Sequence, residues 1–144
     1  MGKRRRSREL AIKVLFHLEF SKDDHPAAAF ALICNNFGAA EEIKPFSKEL
    51  VEGVCSHKSE IDKLLSKASQ HWRVERIARL DRTILRMALY ELLYREDIPP
   101  KVTIDEAVEL AKRFCSEESG AFINGILDKI YHTLIPQTGS LDVT

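Results

Sequence analysis

The stretch that decides the fold is LDRTILRMALYELLY, residues 80–94. On a helical wheel Leu80, Ile84, Met87, Ala88, Leu92 and Tyr94 make one broad stripe, while Leu85, Leu89 and Leu93 occupy the opposite arc. A helix that is apolar nearly all round is covered by neighbours on more than one face. At about 1.5 Å per residue it spans roughly 22 Å, too short to cross a bilayer. The reading is a central post in an all-α domain, with Asp81, Arg82, Arg86 and Glu91 left to be explained. Glu91 lies on the main stripe, where a carboxylate needs partners or a raised pKa. A structural ion pair is expected there rather than a catalytic acid.

Working outward, the chain before this post is helical as well. Leu10, Ala11, Val14, Leu15 and Leu18 share one arc of a helix expected over residues 8–20, behind a basic arm of residues 1–8. Ile12, Phe16 and Phe20 form a second stripe. One stripe is enough to dock a helix, so the second is either further core or an exposed partner surface around Phe16. His25-Pro26 opens a helix that Gly38 closes. Ser47 is a good N-cap for a helix that carries Leu50, Val51, Val54, Ile61, Leu64 and Leu65 as far as residue 69. Trp72 is expected to anchor the joint before the post.

Beyond the post, Asp97, Pro99 and Pro100 stop the helix. Thr103 and Glu106 have capping-box spacing for a helix over residues 104–114. Ser116 caps a last helix over residues 117–134, in which Gly120 and Gly125 are expected to permit close approach. Residues 136–144 read as a flexible tail. No segment alternates as a strand does, and short loops favour antiparallel neighbours. About seven helices in a single domain, residues 1–135, are expected.

The 144 residues are 44% hydrophobic and 31% charged with no net charge, an ordinary globular composition. Cys34, Cys55 and Cys115 are odd in number and lack CxxC spacing, which argues against a disulfide framework or a thiolate zinc site and fits a reducing cytoplasm. Phosphate-binding loops, dinucleotide fingerprints, zinc-protease and nucleophile-elbow motifs are all missing, so neither catalysis, cofactor nor metal is expected. The five histidines are scattered and read as surface or packing residues. The one polar feature that points outward is the start: Lys3, Arg4, Arg5, Arg6, Arg8 and Lys13 against Glu9. Arginines at a helix N-terminus are locally unfavourable, but their planar forks suit phosphate, and the helix end adds backbone donors. A small nucleic-acid footprint on a neutral protein follows, against a plain solubility role as the alternative.

Four separated motifs, RRRSRELA (residues 4–11), LRMALYEL (85–92), IPPKVTIDEA (98–107) and FINGILDK (122–129), occur in an order that resembles the bacterial transcription antitermination factor NusB family. The resemblance runs to about residue 131 and is one of pattern more than identity over residues 22–70. It implies an all-α fold of two helical bundles packed crosswise, and a non-enzymatic RNA-binding role. It further implies NusE, a small-subunit ribosomal protein, as partner on the single-stranded boxA element of nascent ribosomal RNA leaders. NusA, NusG and RNA polymerase would complete the assembly. Carried over by motif, RNA contacts fall on Arg4, Arg5, Arg6, Arg8, Arg86, Phe114, Glu118 and Phe122, and partner contacts on Phe16 and Asp81. Glu118 stands where the family often has Asp, and Ala121 where a basic residue is usual, which removes one phosphate contact. A related domain precedes RNA cytosine methyltransferases, but this chain has no room for a cofactor-binding sheet. An oligomerisation module is the third reading, since some family members form homodimers; sequence leaves monomer and homodimer both open.

Overall fold

The computed structural model describes residues 2–21, 23–69 and 73–135. Trp72 and the expected tail over residues 136–144 lie outside these. Seven α-helices occur among the described residues: α1 (Lys3–Phe20), α2 (Pro26–Phe37), α3 (Lys44–Ser56), α4 (Lys58–Ala68), α5 (Arg79–Tyr94), α6 (Pro100–Phe114) and α7 (Glu117–Lys129). A final π-helical turn, Ile130–Leu134, follows α7. Among the described residues no helix is long and apolar enough to cross a membrane.

The post is α5. Every residue from 81 to 91 is buried, because α1 and α3 pack on one side and α4, α6 and α7 on the other. Helices α1–α3 thus form one layer and α4, α6 and α7 the second, with α5 between them. Leu85 and Leu89 on one arc and Ile84, Met87 and Ala88 on the other are all 0–1% exposed. A helix apolar on two arcs needs two layers, and the two-layer fold is the consequence.

Local signals set several boundaries. Pro26 sits in the first turn of α2, the His25 ring accepts from the Ala27 N–H, and Gly38 ends the helix at φ +58°, which suits glycine. The Ser116 hydroxyl caps α7 by accepting from the Ser119 N–H at 3.0 Å.

Other boundaries differ from the sequence reading. Helix α1 starts at Lys3, so the basic arm is itself helical. Helix α3 begins at Lys44, which puts Ser47 inside the helix, where its buried hydroxyl donates to the Ser7 carbonyl of α1. The expected long third helix breaks at His57 into α3 and α4. Val54, Ile61 and Leu65 keep helical spacing across that break, so the periodicity cannot reveal it. Helix α6 begins at Pro100, three residues before the supposed Thr103 cap, because proline at the first position presets the helical φ.

Two glycines let helices meet closely. A Cβ on Gly53 would sit 2.1 Å from the Tyr90 ring of α5, and one on Gly120 would sit 2.7 Å from the Lys112 side chain of α6. Gly125, in contrast, faces open space.

Candidate nucleic-acid interface

The four arginines of α1 have separate fates. Arg8, 3% exposed, donates from Nε and Nη2 to both oxygens of Glu91 at 2.8 and 2.7 Å, and the Thr103 hydroxyl adds a third bond to that carboxylate at 3.1 Å. Glu91 is therefore the paired carboxylate the sequence suggested. Arg5 forms a second fork, onto Glu106 of α6 at 2.9 and 2.6 Å, and stays partly open to solvent. Arg6 reaches Glu42 only at 3.5 Å. Arg4 is exposed and has no ion pair within 4 Å among the described residues; its guanidinium lies over the Phe46 ring at 4.3 Å. These carboxylates explain how a helix can begin in a run of arginines, against its own dipole.

Arg86 faces inward. It is 7% exposed, holds Asp62 of α4 at 2.8 and 2.9 Å and reaches Glu19 of α1 at 2.9 Å. Arg82, unassigned from sequence, joins the same network by donating to Glu19 and to the Val74 carbonyl. The network ties α1, α4 and α5 together.

At the turn between α6 and α7, Phe114 is 39% exposed and Glu118 is exposed, while Phe122 is half-buried against the core. Arg113 pairs with Glu9 of α1 at 2.7 Å. Arg5 lines one open recess together with Lys112, Arg113 and Glu117, so the arginine run and the α6–α7 corner meet. Arg4, Arg5 and Val102 line a second recess beside it. Of the candidate RNA residues, the fold gathers Arg4, Arg5 and Arg6 at one end of α1 and links them through α6 to Phe114 and Glu118. Arg8 is buried beside them against Glu91, whereas Arg86 lies toward the other end of α1, with Glu19 and Asp62.

The candidate partner residues are divided: Phe16 lies farther along α1, while Asp81 packs against the α6–α7 corner through Ser119. Phe16 is half-buried and meets Phe20 edge-on, with centroids 5.0 Å apart; Phe20 is 58% exposed and carries the Arg79 guanidinium over its ring at 4.6 Å. Ile12, from the same stripe, is 3% exposed, so that stripe divides between core and surface. Asp81 is 8% exposed and accepts from the Ser119 hydroxyl at 3.2 Å. Desolvation, then a hydrogen bond to Asp81 and that carboxylate's charge, push the Cys115 thiol up to about 11.

Two of the inter-helix carboxylates report on pH. The Arg5 hydrogen bond holds Glu106 below its ordinary 4.5 despite partial burial. Burial alone would raise Glu19, but the Arg82 hydrogen bond and the charges of Arg86, Arg82 and Lys58 outweigh it and hold this group low too. Each binds its proton more weakly folded than unfolded, so its stabilisation is complete above about pH 4.5 and is lost as pH falls through the lowered folded values. The thermal midpoint should therefore drop progressively below about pH 4.5, and Glu19→Gln with Glu106→Gln should flatten that drop. A wild-type midpoint constant down to about pH 3 would contradict the coupling.

Sequence comparison places this geometry in a lineage. The model of the NusB family matches residues 5–132, nearly the whole described chain. The chain belongs to the NusB family. The transcription antitermination protein NusB of Desulforapulum autotrophicum is 48% identical over 132 residues, covering 90% of this chain and 92% of its own. The NusB of Myxococcus xanthus is 46% identical over 137 residues, covering 90% and 95%. Among solved structures, T. maritima NusB superposes with a TM-score of 0.84 at 39% identity, covering 94% of each chain. A structure of antitermination factors NusB and NusE in complex with double-stranded RNA gives 0.82 at 26% identity, covering 91% of this chain and 97% of that one. The all-α, seven-helix NusB architecture expected from the motifs is thus the one observed.

The sequence alone gives no role to Phe46 or Glu19 and marks Glu106 only as a capping residue. Nothing local marks a partner 101 positions away.

Proposed function

We propose that this NusB-family chain binds the single-stranded boxA element of nascent ribosomal RNA leaders together with NusE. It then joins NusA and NusG on RNA polymerase to suppress premature termination, acting by binding and not by catalysis. The observation that carries the reading is the recess that Arg5 shares with Lys112, Arg113 and Glu117 at the α6–α7 corner, next in sequence to Phe114, whose exposed ring is available to a base. The similar structure of NusB and NusE in complex with double-stranded RNA supports the coarser part of this reading, RNA binding together with NusE.

Burial divides the work among the arginines. Arg4, Arg5 and Arg6 meet phosphate, with Phe114, Glu118 and Phe122 on the base side; Arg8 holds α1 to α5 beside them, and Arg86 holds α5 to α1 and α4 farther along. A single-strand contact contributes a slope of about −0.7 per phosphate, so three cations give a slope of log affinity against log salt of about −2. Titrating boxA RNA with NusE present should return that slope, and Arg4→Ala or Arg5→Ala should reduce it by about 0.7. Affinity indifferent to salt, or equal affinity for random single-stranded RNA and for duplex, would reject the assignment.

A further inference from the structure

Three guanidinium groups surround Phe46 near the start of α3: Arg4 at 4.3 Å from the ring centroid, Arg95 at 5.2 Å and Arg8 at 5.5 Å. Two of the three charges are already matched. Arg8 is locked to Glu91. Arg95 is held by Glu49 at 2.7 Å and by both oxygens of Asp97 at 2.9 Å. Among the described residues Arg4 alone of the three has no ion pair within 4 Å; it is exposed, and it feels the longer-range charge of Asp97, which is already held by Arg95.

A carboxylate and an aromatic ring hold an arginine in different ways. A carboxylate fixes the guanidinium but neutralises it and occupies its donors, as Glu106 does to Arg5. A ring face fixes the plane through cation–π attraction and leaves the edge donors and the charge available. The Phe46 ring is itself partly buried and packed against the core, so its position is set by the fold. An arginine near a chain terminus otherwise loses rotamer freedom when it grips an anion. Docked on Phe46, Arg4 has given up part of that freedom beforehand.

We propose that Phe46 is a positioning residue for phosphate recognition: it holds the Arg4 guanidinium over its ring at the end of α1, with no carboxylate bonded to it among the described residues, ready to donate to an RNA phosphate. The inference rests on the RNA-binding reading above and adds a residue to it. It also separates Arg4 from Arg5 and Arg6, which carry carboxylate partners and present their charge at a discount.

The test is a double-mutant cycle on boxA RNA binding with NusE present. Phe46→Leu should weaken binding about three- to tenfold in the wild-type background, and by less than about 1.5-fold when Arg4 is already alanine. Phe46→Trp, which keeps a ring face for the cation, should restore affinity to within about twofold of wild type. Thermal melts of each variant separate lost folding from lost positioning. Equal losses in both backgrounds, or no loss at all, would overturn the proposal. A second readout needs no RNA: side-chain proton resonances of Arg4 should be shifted upfield by the ring and lose that shift in Phe46→Leu. An unshifted Arg4 in the wild type would remove the stack. Failure of the wild type to bind boxA RNA would instead remove the function on which the proposal builds.

Discussion

Glu91→Ala is expected to lower stability by about 3–5 kcal/mol, because it leaves a buried guanidinium without its carboxylate. Glu91 and Arg8 are 1% and 3% exposed, and their fork joins α1 to α5 across 83 residues of sequence. After truncation, the carboxylate still near Arg8 is Glu106, 3.9 Å away and already engaged by Arg5. For a domain of this size the loss corresponds to a fall in thermal midpoint of roughly 10–15 °C. Arg8→Ala should cost a similar amount for the mirror-image reason. Replacing the set together, with Arg8→Met, Glu91→Leu and Thr103→Val, should recover most of the stability, since nothing charged or polar is then stranded. That variant also asks what Arg8 does. With the fold restored, boxA affinity and its salt slope should stay near those of wild type, because Arg8 is 3% exposed and its Nε and Nη2 donors are taken by Glu91. A slope lower by about 0.7 would instead place Arg8 on a phosphate.

The same ion pair shows where sequence reading stops. The central helix was legible: residues 80–94 were read from the apolar wheel, and α5 spans Arg79–Tyr94. The reason is physical, since a helix needing cover on two sides writes that need into consecutive residues. Ser116 was legible because a cap acts over three residues. Glu91 was legible as a carboxylate in need of a partner, but its partner was not, being 83 positions away. The start of α1 failed for the same reason. Four arginines without an acidic first turn look like an arm by every local rule, and only Glu106 and Glu91, from other helices, make them a helix. Thr103 and Glu106 show the converse error: spacing that mimics a capping box is occupied by two residues serving distant partners. Among the candidate RNA residues, charge groups Arg4, Arg5, Arg6, Arg8 and Arg86 alike, and only burial in the fold separates Arg8 and Arg86 from the others.

Phe16→Asp is expected to weaken association with NusE by at least about 30-fold, while leaving the fold nearly intact. Three observations set the size of the effect. Phe16 belongs to the half-buried part of its stripe, whereas Ile12, one turn earlier, is closed in the core. Its ring is the inner member of an edge-on pair with Phe20, so the pair offers a partner an apolar surface with its geometry already fixed. Arg79 over Phe20 and Lys13 over Phe37 at 4.5 Å border the aromatic residues with cations, giving an apolar centre and a charged rim. Aromatic anchors at the centre of such a patch carry binding energy out of proportion to their number. An aspartate there must be desolvated against a partner surface built for a ring, which costs more than the contacts it removes. Circular dichroism should show unchanged helicity and a midpoint within a few degrees of wild type, because the side chain already touches solvent. Binding to boxA RNA without NusE should be unchanged, since the arginine run and the α6–α7 corner lie apart from this face. A variant that melts much earlier and loses both activities together would assign Phe16 to the core. A variant that binds NusE as the wild type does would move the partner surface off α1 altogether.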